Sequence, residues 1–369
     1  GVWDVLPKGT PLIGGTVAGF MNPEGCYTRG ASALAVYYPR MDVAVGIGKN
    51  TKRNPEKAAK KCAGMIVEKL KESNYKNKFL LNITSSGVVP SIPGSGKKRV
   101  ITSNLGNVMV KTLNSTCRSF QIGPGREDEI IETFAAELKD YDIIGGSTVD
   151  DNKWEKSFQF FNNEILTNSV IALGIKTNFN WIMNTSYGLK PTGLKMKPTK
   201  TTLFDCAIQK IDEKPAADRF IEKMEWSKDL FDENLHRRTL FYPLCYKKKN
   251  ILCPRVIALI IKDTIVFTNK VTKNDDMEIY SASGRGLVDS VKENIESIYS
   301  DNLKLGFIVS CTARLEALGG ATFKVHDIIK KYYKDVPFLL FFASGEDVYK
   351  ANDVPVRLNE SFNVVNFYD

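Results

Sequence analysis

Val336-Pro337-Phe338-Leu339-Leu340-Phe341-Phe342-Ala343-Ser344-Gly345-Glu346 is a nearly unbroken apolar run that ends in small residues and a carboxylate. A solid apolar run bounded by turn residues reads as a strand buried on both faces, since a strand with one wet face would alternate apolar and polar residues. The run stops at small residues and so delivers Glu346 to the strand's carboxyl end, where open α/β sheets place their ligands. The same pattern, an apolar strand running into Gly and hydroxyl residues, occurs at Leu12-Ile13-Gly14-Gly15-Thr16 and at Asp142-Ile143-Ile144-Gly145-Gly146-Ser147.

On the N-terminal side of this run, the sequence predicts a hairpin over 255–262 and 265–267, a helix over 287–299, a strand over 305–310, a turn over 311–320 and a helix over 322–333. Strand, helix and strand with about 30 residues between strand starts is the spacing of a parallel crossover unit. Both strands would open on one edge, so Cys311 and Arg314 should lie beside Gly345 and Glu346.

In the first half, each Gly-Gly copy is followed by a polar loop and a second apolar stretch, read as strands over 32–37 and 169–174. Between them the spacing predicts a helix over 55–70, with Asn54 as N-cap and Pro55 at its first position, a strand over 79–83 and a helix over 127–138. This self-similarity implies an N-terminal half built from two related α/β units. A strand over 203–209, a turn over 211–215 and a helix over 216–224 precede the charged, irregular segment 227–238, where the boundary is placed. The expected fold is α/β (mixed α+β): two lobes of mixed β-sheets flanked by helices, as domains 1–226 and 239–369, with an internal repeat in the N-terminal half.

The bulk properties set limits. At 369 residues the chain exceeds the size at which one core stops growing, roughly 250–300 residues. No run approaches the roughly 18 apolar residues of a membrane helix, so no membrane insertion is expected. The charge of +9 is scattered over small clusters, among them Lys97-Lys98-Arg99 and Lys247-Lys248-Lys249, with no aromatic interleaving, which argues against a nucleic-acid partner. Seven cysteines with no C-x-x-C pair argue for a reducing compartment and against disulfides or zinc. A cytoplasmic protein is expected.

Taken in order, these segments resemble the FIST family. The C-terminal half is similar to the FIST C-terminal domain through Tyr242-Pro243-Leu244, Pro254-Arg255-Val256-Ile257, Ser310-Cys311-Thr312-Ala313-Arg314, Phe341-Phe342-Ala343-Ser344-Gly345-Glu346 and Asn359. The N-terminal half resembles the FIST N-terminal domain through Ile13-Gly14-Gly15-Thr16, Ile144-Gly145-Gly146-Ser147 with Asp150-Asp151, Tyr187-Gly188-Leu189-Lys190-Pro191-Thr192-Gly193 and Ile211-Asp212-Glu213-Lys214-Pro215-Ala216. Gly1 starts after the strand and helix with which that domain normally begins, so a domain lacking them is expected. The resemblance implies a small-ligand-binding sensory module of signal transduction, with amino acids among the proposed ligands. With no output domain in the sequence, a signalling partner would act in trans.

The sharpest constellation is Arg314, Glu346, Asn359 and Arg255. A guanidinium can hold an amino acid's carboxylate and a buried carboxylate can accept its ammonium; alternatively Arg314 and Glu346 pair with each other. Gly14-Gly15-Thr16 and Gly145-Gly146-Ser147 could present backbone N–H groups to an anion, or simply pack closely on neighbouring strands. Gly94-Ser95-Gly96-Lys97 lacks the spacing of a phosphate loop. Cys311 beside Arg314 could become a nucleophile, but the two histidines, His236 and His326, are not placed near it, and the same scarcity argues against haem. No cofactor is expected, and binding is expected over catalysis; an enzyme using Glu346 or Cys311, or an interaction scaffold, are the alternatives.

Overall fold

The computed structural model describes residues 2–89, 99–102, 110, 112, 119–151, 153–230, 232 and 234–369; the 94–97 loop and Cys117 lie outside these. Among the described residues, two of three six-stranded sheets stack face to face. One runs in the order Val356–Leu358, Glu346–Tyr349, Asp142–Thr148, Asn77–Ser85, Ser169–Thr177, Met41–Lys49. The other runs Asn180–Ser186, Phe362–Tyr368, Leu303–Cys311, Phe338–Ala343, Phe20–Asn22, Gly25–Tyr27. Strands from both sides of residues 227–238 contribute to each.

The side-chain alternation of the strands shows how the layers stack. In Phe338–Ala343, Phe338, Leu340 and Phe342 join a core with Leu287, Val291, Ile295, Val325 and Ile329 of the helices Gly284–Ile298 and Thr322–Tyr333. Phe341 and Ala343 face the other way, into a core shared with Phe79, Ile144 and Val348 of the first sheet. The first sheet repeats this: Leu80 and Ile143 pack under the helices Pro55–Lys69 and Glu127–Glu137, against Ile66 and Phe134. The result is helix, sheet, sheet, helix, and the solid apolar run is a strand with a core on each face. Leu303–Cys311 and Phe338–Ala343 pair in parallel, with Cys311 opposite Ala343, as the crossover spacing requires.

A second region packs the third six-stranded sheet and a four-stranded sheet around Ile208, Phe220, Ile260, Ile265, Phe267 and Ile279. It contains the helix Ala216–Lys223 and the hairpin Ile257–Ile261 with Thr264–Phe267.

Three expectations fail. Residues 32–37 form no strand: the stretch is β-prone but mostly exposed, and the pairing with Ser169–Thr177 is made by Met41–Lys49 beyond Pro39. The two Gly-Gly copies accordingly occupy different places, Gly14-Gly15 in the three-residue strand Ile13–Gly15 of a small sheet and Gly145-Gly146 in a central strand. Residues 312–318 are a helix, Thr312–Leu318, consistent with helix formers in Ala-Arg-Leu-Glu-Ala-Leu, ended at Gly319 with φ 49°. The strand placed at 203–209 is Ala207–Ile211, because Leu203, Phe204 and Asp205 all take left-handed backbone and turn the chain first.

Close approach explains the glycines of Met41–Lys49. A Cβ at Gly48 would lie 2.0 Å from the Ala58 carbonyl oxygen of the overlying helix. Gly48→Ala must push the helix off the sheet, and urea unfolding is expected to show a loss of roughly 2–3 kcal/mol.

Candidate functional site

The candidate site is built where the chain changes sheets. After Ala343 the backbone turns through Ser344 and Gly345, the latter at φ 116°, and enters the facing sheet, where Glu346 pairs with Gly146 and Leu358. Glu346 therefore begins a strand instead of ending one. A Cβ at Gly345 would also meet the Arg357 guanidinium at 2.6 Å, so glycine is required here on both counts. The chain recrosses at 359–361, between Val356–Leu358 and Phe362–Tyr368. Cys311 N donates to the Ser361 carbonyl at 3.1 Å, which places the second crossing at the end of the Leu303–Cys311 strand.

A small cavity of about 20 Å³, room for about one water, opens there. Its walls include Cys311, Ser344 and Asn359, together with Arg99, His236 and Glu316. Asn359 Oδ1 accepts from Val256 N (3.3 Å), Thr268 Oγ1 (2.8 Å) and Asn269 Nδ2 (3.1 Å), which fixes the amide. The Arg99 guanidinium lies 5.3 Å from the Trp154 ring centroid and donates to the Ala258 carbonyl. Burial lowers its pKa, opposed by Glu316 and Asp150. Burial, with Arg99 and Arg237 nearby, pushes His236 down to about 3, so its imidazole is neutral at ordinary pH. Burial also pushes the Cys311 thiol well above its usual range.

Arg314 is fully buried and is held by carbonyls. Its Nη1 donates to Tyr187 O at 2.5 Å and Glu360 O at 3.4 Å, its Nη2 to Leu287 O at 2.8 Å and Ser290 Oγ at 3.2 Å. Burial lowers its pKa to about 10 against the pull of Glu360, Cys311 and Glu346. Among the described residues no ion pair joins it to Glu346. Glu346 Oε2 accepts from Ser361 Oγ at 2.7 Å, and burial raises the carboxyl to about 8 despite the opposing pull of Ser361, Arg357 and the Cys311 side chain. Neither Arg314 nor Glu346 lines the cavity.

A second buried network, announced by no motif, lies beside it. Arg357 donates from Nη1 to Asp347 Oδ1 (3.0 Å) and from Nη2 to Ser147 Oγ (2.7 Å), Ser344 O (3.1 Å) and Glu127 Oε1 (3.5 Å). Burial works against its charge, but Asp347, Glu127 and Glu346 more than offset this and raise its pKa. Asp347 also accepts from Asn82 Nδ2 at 2.6 Å. Arg255 sits alongside, donating to Tyr246 Oη, Lys270 O and Arg357 O, 3.8 Å from Asp128.

Gly145 and Gly146 pair in the sheet with Asn82, Ile83, Glu346 and Asp347; a Cβ at Gly145 would meet Asn82 O at 2.2 Å and one at Gly146 would meet Ala343 Cβ at 2.6 Å. A Gly15 Cβ would meet Thr148 at 2.4 Å, and Thr16 O accepts from Val149 N, so the two glycine segments meet edge to edge. Ser147 is the member of these segments that touches the charged network.

The missed cavity residues carried weak signals. Arg99 belongs to a basic cluster that reads as surface, and His236 to an irregular charged segment. Among the described residues no group of three or more His, Cys, Asp or Glu is arranged to hold a metal ion. No helix there is long and apolar enough to cross a membrane.

Comparison with known proteins supplies the context. An uncharacterized protein of Methanocaldococcus jannaschii is 25% identical over 236 residues, covering 60% of this chain and 44% of the relative. The chain thus spans less than half of that relative's length. The FIST N domain model matches residues 2–214, and the FIST domain is a small-ligand sensory domain of signal transduction. With more than half of its length matched by that model, and with its glycine segments and cleft laid out as described, this chain belongs to the FIST family.

Proposed function

We propose that this protein senses a small charged metabolite, an amino acid or close analogue, in the cleft at the two sheet crossings and passes its occupancy to a separate signalling partner. The carrying observation is the composition of the cavity wall: a guanidinium (Arg99), a carboxylate (Glu316), hydroxyls (Thr268, Thr312, Ser344) and a fixed amide (Asn359) around one small space. These are complementary to a zwitterion's two charges. Arg314 and Glu346 stand behind the wall, so their part is to hold the crossings in place. With room for about one water, the cavity accepts a metabolite after its walls part, and that opening is the two-state element a sensor needs. The raised Cys311 thiol favours a wall residue over a nucleophile. The C-terminal half is read as the family's C-terminal domain.

The test is a thermal-shift screen with L-amino acids and related amines and carboxylates, on wild type and on Arg99→Ala. A ligand at 100 times its Kd should stabilise wild type by about 2.7 kcal/mol, and the variant should lose most of this. No hit in wild type, or an undiminished shift in the variant, refutes the site.

A further inference from the structure

The cavity has an inner and an outer wall. Cys311, Ala313, Ser344 and Asn359 line it from within the protein and are buried, whereas Arg99, Trp154, His236, Thr268 and Glu316 reach solvent. A metabolite larger than a water must therefore enter through the outer wall, at a residue that can move without unpacking a helix or sheet. His236 and Glu316 are carried by the helices Leu235–Thr239 and Thr312–Leu318. Arg99 borders the strand Val100–Ile101 and donates to Ala258 O at 3.2 Å, and Thr268 Oγ1 is tied to Asn359 at 2.8 Å. Trp154 lies in 153–158, a stretch with neither helix nor strand that leads into Gln159–Phe161.

Trp154 is also held against its own preference. Its φ is 57°, in the left-handed region where a bulky side chain is an outlier. Asp150 keeps it there: its Oδ1 accepts from Trp154 N at 3.0 Å and its Oδ2 from Glu155 N at 2.7 Å. Trp154 O accepts from Val89 N at 3.0 Å, and the Arg99 guanidinium rests 5.3 Å from the indole centroid. A strained residue latched by one half-buried carboxylate has two arrangements within reach, a latched one with the indole against the cavity and a released one with the strain relieved.

We infer that Trp154 is the gate of this cavity and Asp150 its latch: when the two Asp150 hydrogen bonds release, the 153–158 segment swings outward and the indole vacates the space beside Arg99 that a metabolite takes. The inner wall stays in place, with Asn359 Oδ1 held by three donors and Cys311 N by Ser361 O. The inference rests on the sensing role of the cavity and adds which wall parts and what holds it shut. It also gives Asp150, which does not line the cavity, a part in affinity, since a weaker latch lowers the cost of opening and tightens binding.

Cys311 lies behind the gate, so its labelling by N-ethylmaleimide reports opening without any ligand. The native full chain is treated at neutral pH and the labelled cysteine is located by peptide mass spectrometry, with Cys62, wholly buried on the inner face of the helix Pro55–Lys69, as the control for global unfolding. Asp150→Ala is expected to speed Cys311 labelling about tenfold, the population shift that losing one charge-assisted hydrogen bond corresponds to, and to leave Cys62 unchanged. Trp154→Ala should do at least as much, and adding Asp150→Ala to it should give no further gain, because the latch acts through the indole. A Cys311 rate that stays at the wild-type value in either variant, additive gains in the double variant, or equal acceleration of Cys62 overturns the inference. Should Asp150→Ala not fold, Trp154→Ala decides alone. Labelling that follows this pattern without any metabolite hit keeps the gate and removes sensing; a metabolite hit with Cys311 labelling indifferent to both variants does the reverse.

Discussion

Arg357→Ala is expected to lower the unfolding free energy by about 3–5 kcal/mol, measured by urea denaturation. The guanidinium has no solvent exposure and closes ion pairs with Asp347 and Glu127 while donating to Ser147 and Ser344. Taking it away leaves Asp347 and Glu127 buried without the cation that pairs with both, and an uncompensated buried charge costs more than its pair ever contributed. Neutralising the whole network, with Arg357→Met, Asp347→Asn and Glu127→Gln together, should recover much of the loss. A cost below about 1 kcal/mol for the single variant would show that the network is hydrated.

Stability is expected to fall as pH rises from 6.5 to 8, opposite to the usual behaviour of a protein rich in paired carboxylates. Burial raises Glu346 and Glu360 from 4.5 to about 8. Between those limits the native state keeps protons that the unfolded chain has lost, so the stability is present at low pH and is lost on approaching pH 8. Each group contributes about 1.4 kcal/mol per pH unit, giving on the order of 4 kcal/mol for both over this window. Below pH 6.5 His236 works the other way, since it stays neutral when folded and takes a proton when unfolded. Glu346→Gln combined with Glu360→Gln should flatten the profile. A stability that is flat or rising over the window in wild type would refute buried, neutral carboxyls at these positions.

The readable parts of this molecule were those governed by local pattern. The run at 338–342 and its partner strand could be read because apolar runs and the length of a parallel crossover are properties of contiguous sequence, and the helices at 55–69 and 322–333 because their period is. The site was only half legible. Cys311 and Asn359 line one cavity, whereas Gly345 and Glu346 are outside its lining. Arg99 and His236 arrive at the cavity from distant segments, and no pattern near either residue signals it. Glu360 and Arg357 were overlooked because charged residues are ordinarily solvated; only the two crossings between sheets bury them. The misread stretch 32–37 has the composition of a strand and lacks a neighbour to pair with, which β-propensity alone does not reveal.

The crossing at Ser344-Gly345 bears on how this protein can be divided. Glu346–Tyr349 and Val356–Leu358 close the sheet that begins with Met41–Lys49, while Phe20–Asn22 and Gly25–Tyr27 extend the sheet of the C-terminal strands. Residues 2–214, expressed alone, would leave residues 143–146 of the strand Asp142–Thr148 as a bare hydrophobic edge, with Ile143, Ile144 and two glycines unpaired on one side. Such an edge recruits other chains, so the segment that carries the family's signature is expected to aggregate when cut free: inheritance and folding draw their boundaries in different places along this chain.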